Sequence, residues 1–176
     1  PIRSEREVEA LWQSVKNGRV DVIGSDHSPC TVDLKEKGDR NIWEAWGGIS
    51  GLQTMLPLLF SEGVTKRKLS PSSLVQMLSF NPARLFGLYP RKGILRPGSD
   101  ADIVIFDPNK QWVIEREGLF YKNKHSPFVG RTITGAVVST LLRGKVVYRK
   151  GEIVAPAGTG RFLSRHPSKG DEYERS

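Results

Sequence analysis

Val20-Asp21-Val22-Ile23-Gly24-Ser25-Asp26-His27-Ser28-Pro29-Cys30 decides how the rest of the chain is read. Val20 to Ile23 is rich in β-branched residues and predicts a short strand, and the polar residues from Gly24 to Cys30 predict a loop at its end. Upstream, Ser4-Glu5-Arg6-Glu7 is a capping box, in which the serine hydroxyl accepts from the backbone three residues on and the glutamate reaches back. Val8, Leu11, Trp12 and Val15 then recur at helical spacing. Asn17-Gly18 ends that helix, with glycine free to turn left-handed. Helix, tight turn, strand and polar loop in succession is the order of α/β proteins with parallel strands. Ligands and catalytic groups in such folds gather where a strand ends and its loop begins. That puts Asp26 and His27 first among the candidate functional residues.

Downstream, Thr31 to Trp46 reads as a polar loop with a short helical turn near Ile42 to Trp46. Gly47-Gly48-Ile49-Ser50-Gly51 is flexible backbone leading into a helix with Leu52, Met55, Leu56, Leu59 and Phe60 on its apolar face, kinked by Pro57. Ser70-Pro71 is an N-cap followed by an N1 proline, with Leu74, Met77 and Leu78 behind it. Asn81-Pro82 repeats that start signal for a short helix ending at Gly87. The texture changes at Gly93. Arg96-Pro97-Gly98-Ser99 is a turn, Ile103 to Phe106 predicts a buried strand stopped by Asp107-Pro108, and Gln111 to Ile114 and Ala136 to Leu142 predict further strands. Arg143-Gly144 is a two-residue hairpin before Val146-Val147-Tyr148. The organisation expected is therefore residues 1–92 of α/β character, residues 93–157 all-β, and a polar tail, residues 158–176, expected to be disordered.

The chain has 176 residues with Lys+Arg 27 against Asp+Glu 19, a formal charge of +8, and is 38% hydrophobic. That is enough apolar material for a core. No apolar run approaches the ~18 residues of a membrane span, and Pro1-Ile2-Arg3 carries no signal-peptide pattern, reading instead as a chain entered partway. The basic residues are dispersed and lack interleaved aromatics, which favours a solvated surface over a nucleic-acid partner. The single cysteine, Cys30, excludes a disulfide framework. A cytoplasmic location is the expectation.

Chemistry-bearing residues each carry two readings. Asp26 can bind a metal or act as a general base, or it caps a turn, with His27 an ordinary surface histidine. Gly47 to Gly51 can bring backbone polar groups against a ligand, or form a plain linker. Trp43 and Trp46 line a pocket or pack beneath the loop. Cys30 reads better as a small buried residue than as a reactive thiol, and His125-Ser126-Pro127-Phe128 better as a structural turn than as a site segment. The other histidines, His125 and His166, have no partner at metal-ligand spacing, so three histidines and one cysteine furnish no dinuclear centre.

Taken together, these segments resemble the cyclic amidohydrolases. Gly24 to Cys30, with Ala45-Trp46-Gly47-Gly48-Ile49-Ser50-Gly51-Leu52-Gln53, resembles the last barrel strand and following loop of the allantoinases, as does Ser126-Pro127-Phe128-Val129-Gly130-Arg131. Ser79-Phe80-Asn81-Pro82-Ala83-Arg84-Leu85-Phe86-Gly87-Leu88 and Gly93-Ile94-Leu95-Arg96-Pro97-Gly98-Ser99-Asp100-Ala101-Asp102 are similar to motifs shared across the superfamily. The resemblance runs from residue 1 to about residue 163 and implies the C-terminal part of a (β/α)8 TIM barrel with part of a small β-sandwich. It implies hydrolysis of the ring amide of allantoin to allantoate, in purine and ureide breakdown, by a homotetramer.

Two divalent metals, zinc by the family's habit, would hold a bridging hydroxide. By the same pattern Asp26 ligates one metal and carries the proton from the hydroxide to the leaving nitrogen. Gly48, Ile49, Ser50 and Gly51 bind the ureide, with Ser50 foremost, and His27 orients Asp26 as a hydrogen-bond donor behind it. The family's paired histidines, carboxylated lysine and two later histidines have no counterpart in this sequence. The alternatives are a dihydropyrimidinase- or hydantoinase-like enzyme, and a non-catalytic structural paralogue.

Overall fold

The computed structural model describes residues 3–164. The fold is mixed α/β, and the chain divides into two units that interleave along the sequence. The first takes the residues up to Arg19, Gly24–Leu69 and Pro108–Ala136, and the second takes Val20–Ile23, Ser70–Asp107 and the residues from Val137 on.

In the first unit, helix α1 (Glu5–Lys16) starts as its capping box dictates. Ser4 Oγ accepts from Glu7 N–H at 3.4 Å and the Glu7 carboxylate accepts from Ser4 N–H at 2.9 Å. The hydrogen bonds from the Ser4 hydroxyl and backbone hold the Glu7 carboxyl below its ordinary range. Of the expected apolar stripe only Val15 is buried, while Val8 and Leu11 are exposed. Arg67 lies 4.9 Å above the Trp12 ring and pairs with Glu9 and Glu62.

The segment from Thr31 is more ordered than a plain loop. Helix α2 (Val32–Glu36) follows Thr31 in the N-cap position and has Asp33 in its first turn, where a negative charge complements the helix dipole. Helix α3 (Met55–Leu59) runs on as a wide π-helical stretch, Phe60–Lys66. Pro57 falls in the first turn of α3, where its missing N–H has no intrahelical bond to lose. The wide turns move the buried face: Pro57, Leu58, Phe60, Ser61 and Gly63 are buried, and Leu52 is exposed. The core of this unit is Leu58, Ile114, Leu119 and Ile133, with Trp112, Tyr121 and Phe128 packed against it. Each such side chain contributes ~1.5–3 kcal/mol on burial.

In the second unit Val20–Ile23 takes no regular secondary structure and joins no sheet among the described residues, which corrects the expected strand. A strand is defined by a neighbouring strand, and what flanks this segment is helical. Ile23 N–H donates to the Met77 carbonyl at 3.2 Å, and the Asn81 side chain donates to the Asp21 carbonyl at 2.8 Å. Helix α4 (Pro71–Val75) is capped by Ser70, passes through a π-helical stretch, Gln76–Phe80, and continues as α5 (Asn81–Leu85). Asn81 therefore starts no new helix: its backbone is helical, and its amide serves the Asp21 carbonyl instead of capping. The wide turns before Pro82 accommodate a ring that would clash in a regular α-helix. Gly87, at φ +65°, closes the helix, with Gly87 N–H on the Arg84 carbonyl and Leu88 N–H on the Ala83 carbonyl. Beyond it Lys92 pairs with Asp100 and Asp102, and Arg91 with Asp100.

Strands β1 (Ile103–Val113), β2 (Thr132–Leu142), β3 (Lys145–Arg149) and β4 (Glu152–Ile153) form one sheet in that order, with β1 and β2 supplying residues to both units. Asp107-Pro108 does not stop β1, because on an edge strand a proline N can face away from the ladder. Val104 and Ile105 are exposed, contrary to the buried strand expected there. The hairpin at Arg143-Gly144 is as read, with φ of +49° and +78° closing the Leu142–Lys145 pair. Arg143 donates to the carbonyl of Thr159, in the tail, at 2.6 Å. Residues 165–176, including His166, lie outside the described residues.

Candidate functional site

Two of the segments singled out in the sequence meet within the first unit. Asp26 is exposed and left-handed, at φ +43°, a conformation aspartate tolerates better than most residues. Its neighbour His27 forms an isolated parallel bridge with Ile49, and Ser28 N–H donates to the Ile49 carbonyl at 3.0 Å. His27 Nδ1 accepts from the backbone N–H of Gly51 at 3.2 Å and of Leu52 at 3.4 Å. An accepting Nδ1 leaves Nε2 to carry the proton of the neutral ring. The histidine thus serves the loop that follows Trp46. Its ring lies 5.0 Å from that of Tyr121.

The loop is held at further points. Gly48, at φ +93°, sits so close to Ser28 that a Cβ there would fall 2.5 Å from the serine Cβ. Trp46 Nε1 donates to Ser28 Oγ at 3.1 Å. The Lys35 ammonium donates to the carbonyls of Trp46 and Gly48. Ser126 Oγ donates to the Ser50 carbonyl at 3.2 Å, so the turn at His125-Ser126-Pro127-Phe128 is both structural and docked on the loop. Gln53 closes the far end: its N–H donates to the Tyr121 hydroxyl, and its amide pairs with the Gly118 carbonyl and Phe120 N–H, each at 2.8 Å.

The residues expected to bind a ligand divide by exposure. Gly48 and Ile49 are exposed, whereas Gly51 is buried and Ser50 is 1% exposed. Among the described residues Ser50 Oγ is a buried side-chain oxygen with no hydrogen-bond partner, a state that ordinarily costs ~1–3 kcal/mol. Trp43, at 92% exposed, packs beneath nothing, while Trp46 is tied to Ser28. Cys30 is buried, and its carbonyl is met by His125 Nε2 at 2.6 Å. Lys35 and Tyr121 were not legible as site residues, while Gln53 and Ser126 lay in stretches that resemble the allantoinases without being singled out.

No three His, Cys, Asp or Glu side chains among the described residues come together as a metal cage. One aspartate carboxylate is a single ligand, so this donor set does not by itself fit a metal centre. What the arrangement offers is an exposed carboxylate beside a loop whose backbone is fixed by side chains of four separate segments.

Residues 3–147, which include that carboxylate and loop, match the amidohydrolase family. The chain belongs to that family. An allantoinase from Rubrobacter xylanophilus is 45% identical over 172 residues, which cover 97% of this chain and 37% of that protein. An L-hydantoinase from Paenarthrobacter aurescens is 42% identical over 165 residues, 94% of this chain and 36% of its own. Among solved structures, a D-hydantoinase (dihydropyrimidinase) from Thermus sp. superposes with a TM-score of 0.90 at 34% identity, covering 95% of this chain and 36% of that one. The chain spans little more than a third of the length of these relatives.

Proposed function

We propose that this chain is the C-terminal part of a cyclic amidohydrolase that opens the ring amide of allantoin to give allantoate. The observation that carries the reading is the seating of the 45–53 loop on Asp26-His27-Ser28 through His27 Nδ1 and the Ile49 bridge. These are two of the segments that carry the resemblance to the allantoinases. In this reading residues 1–92 close a (β/α)8 barrel and residues 93–157 belong to a β-sandwich. The whole protein works in the cytoplasm as a homotetramer.

Asp26 accepts a proton from the attacking water and returns it to the leaving nitrogen, a role its exposed carboxylate suits. Gly48, Ile49, Ser50 and Gly51 line the ureide site, where the unpartnered Ser50 hydroxyl is the group best supported as a ligand contact. His27 acts through the loop it holds. Two divalent metals, zinc in this proposal, would need their remaining ligands from parts of the full-length protein beyond this chain, since Asp26 supplies one at most.

The test is kcat/KM of the full-length protein on allantoin, hydantoin, dihydrouracil and dihydroorotate. Allantoin should lead. A site built to hydrogen-bond a ureide arm leaves polar groups unpaired with an analogue that lacks it, a discrimination that can reach ~10⁴ or more. The hydantoinase and dihydropyrimidinase names among the relatives favour a second reading, in which hydantoin or dihydrouracil leads. A full-length protein inactive on all four would mark a structural paralogue.

A further inference from the structure

The stretch Trp46-Gly47-Gly48-Ile49-Ser50-Gly51 contains three glycines, and glycine loses more conformational freedom on ordering than any other residue. Such a loop keeps one shape only if outside groups hold it. Its C-terminal half is held by His27 and Ser126. Its N-terminal half is held by Ser28, whose Oγ accepts from Trp46 Nε1, and by α2. The Leu34 carbonyl accepts from Trp46 N–H at 3.0 Å, and the half-buried Lys35, in the last turn of the helix, donates to the carbonyls of both Trp46 and Gly48.

Peptide planarity gives those bonds a directional consequence. A carbonyl and the N–H of the next residue share one trans plane and point opposite ways. Holding the Gly48 carbonyl toward Lys35 therefore turns Ile49 N–H the other way. That is the side on which the Ile49 carbonyl receives Ser28 N–H and Ile49 bridges His27. Holding the Trp46 carbonyl fixes Gly47 N–H in the same manner. One ammonium thus sets two alternate peptide planes on either side of the Gly47-Gly48 pair, which has no side chain to set them itself.

We infer that Lys35 is a positioning residue that seats the Gly47 to Gly51 loop on the Asp26 to Ser28 segment and thereby sets the affinity of the site for its ring substrate. The kinetic half of this inference rests on the proposed function; the conformational half does not. The experiment compares the full-length protein with its Lys35→Met and Lys35→Arg variants by hydrogen exchange and by steady-state kinetics on the wild type's best cyclic-amide substrate. In Lys35→Met, amide exchange across residues 46–52 should quicken tenfold or more while residues 5–16 stay unchanged. KM should rise tenfold or more with kcat within threefold, the pattern of lost ground-state binding. Lys35→Arg, which keeps the charge and several donors, should recover most of both effects.

Unchanged exchange and KM overturn the inference. So does exchange quickened equally in residues 5–16, and so does a fall in kcat at constant KM. If Lys35→Met yields no folded protein, Lys35→Gln carries the same readouts with threefold effects as the threshold. A wild type that turns over no cyclic amide sinks the proposed function, and the exchange measurement still decides the role of Lys35.

Discussion

Gly48→Ala probes the point where the loop comes closest to the Asp26 segment. Two penalties add. At φ +93° an L-residue is strained, and a left-handed backbone costs ~1–2 kcal/mol. The new methyl carbon would lie 2.5 Å from Ser28 Cβ and 2.8 Å from its Oγ, an overpacking of a kind that costs ~1–3 kcal/mol. Gly48 and Ile49 are exposed, so this part of the loop escapes by moving and the protein stays folded. The binding-competent fraction then falls by the Boltzmann factor of the smaller sum, ~2 kcal/mol, which is about 30-fold, and apparent affinity falls with it.

The assay is kcat/KM of Gly48→Ala in the full-length protein, measured again in a Ser28→Gly background. Ser28→Gly removes the clashing carbon, so in that background Gly48→Ala should keep only the backbone penalty of ~1–2 kcal/mol, about 5- to 30-fold. The difference between backgrounds isolates the steric term. A Gly48→Ala protein within threefold of wild type would refute the reasoning, as would an identical loss in both backgrounds.

Asp26→Asn should lower kcat of the full-length enzyme by ~10²–10⁴, the usual loss of a general base, with the melting temperature unchanged. Asparagine accepts φ near +43° as readily as aspartate does, so a folding defect would undercut the assignment. Ile114→Ala, at a position 1% exposed in the core with Leu58, Leu119 and Ile133, should cost ~2–5 kcal/mol in denaturant titration; a loss under about 1 kcal/mol would mean the cavity collapses.

The Lys92 cluster sets a pH window. Hydrogen bonding from Lys92 leads the causes that lower the Asp100 carboxyl. Burial opposes ionisation of Lys92, yet its bonds to Asp100 and Asp102 leave it raised. Asp100 thus contributes stability above pH 3.8 that fades as pH falls through its lower folded value. Lys92 contributes stability below pH 10.5 that fades as pH rises through its higher one. Lys92→Met should flatten both limbs of the stability profile, and unchanged limbs would discount the cluster.

Features written in local chemistry are legible in the residues themselves. The Ser4–Glu7 box, the Ser70-Pro71 start and the Arg143-Gly144 hairpin each fix their own backbone within four residues, and each stands as read. What failed depended on neighbours far along the chain. Val20 to Ile23 has strand composition but no strand beside it among the described residues. Asn81-Pro82 has the look of a helix start, yet wide turns carry the helix through it, and the asparagine is claimed by the Asp21 carbonyl, 60 residues away in sequence. Pro108 breaks strands in general and spares one at an edge. In the site, Asp26, His27 and the 45–53 loop were legible as two separate segments. Their meeting was not, because the groups that join them include a histidine ring nitrogen, a lysine in an unforeseen five-residue helix and a serine from a distant turn.

The interleaving of the two units has a consequence for biosynthesis. Leu58 and the Ile114, Leu119 and Ile133 that cover it belong to the same core, yet 56 residues separate Leu58 from Ile114. At a translation rate of roughly 5–20 residues per second, Leu58 waits about 3–11 seconds on the ribosome before its first partner from that group is even made. Through that interval the nascent helix carries an uncovered greasy face next to a glycine-rich loop with nothing yet to dock against at Ser126. A chain built this way finishes its first unit only when residue 136 emerges, so truncation anywhere before that point should hand chaperones a client that cannot be discharged.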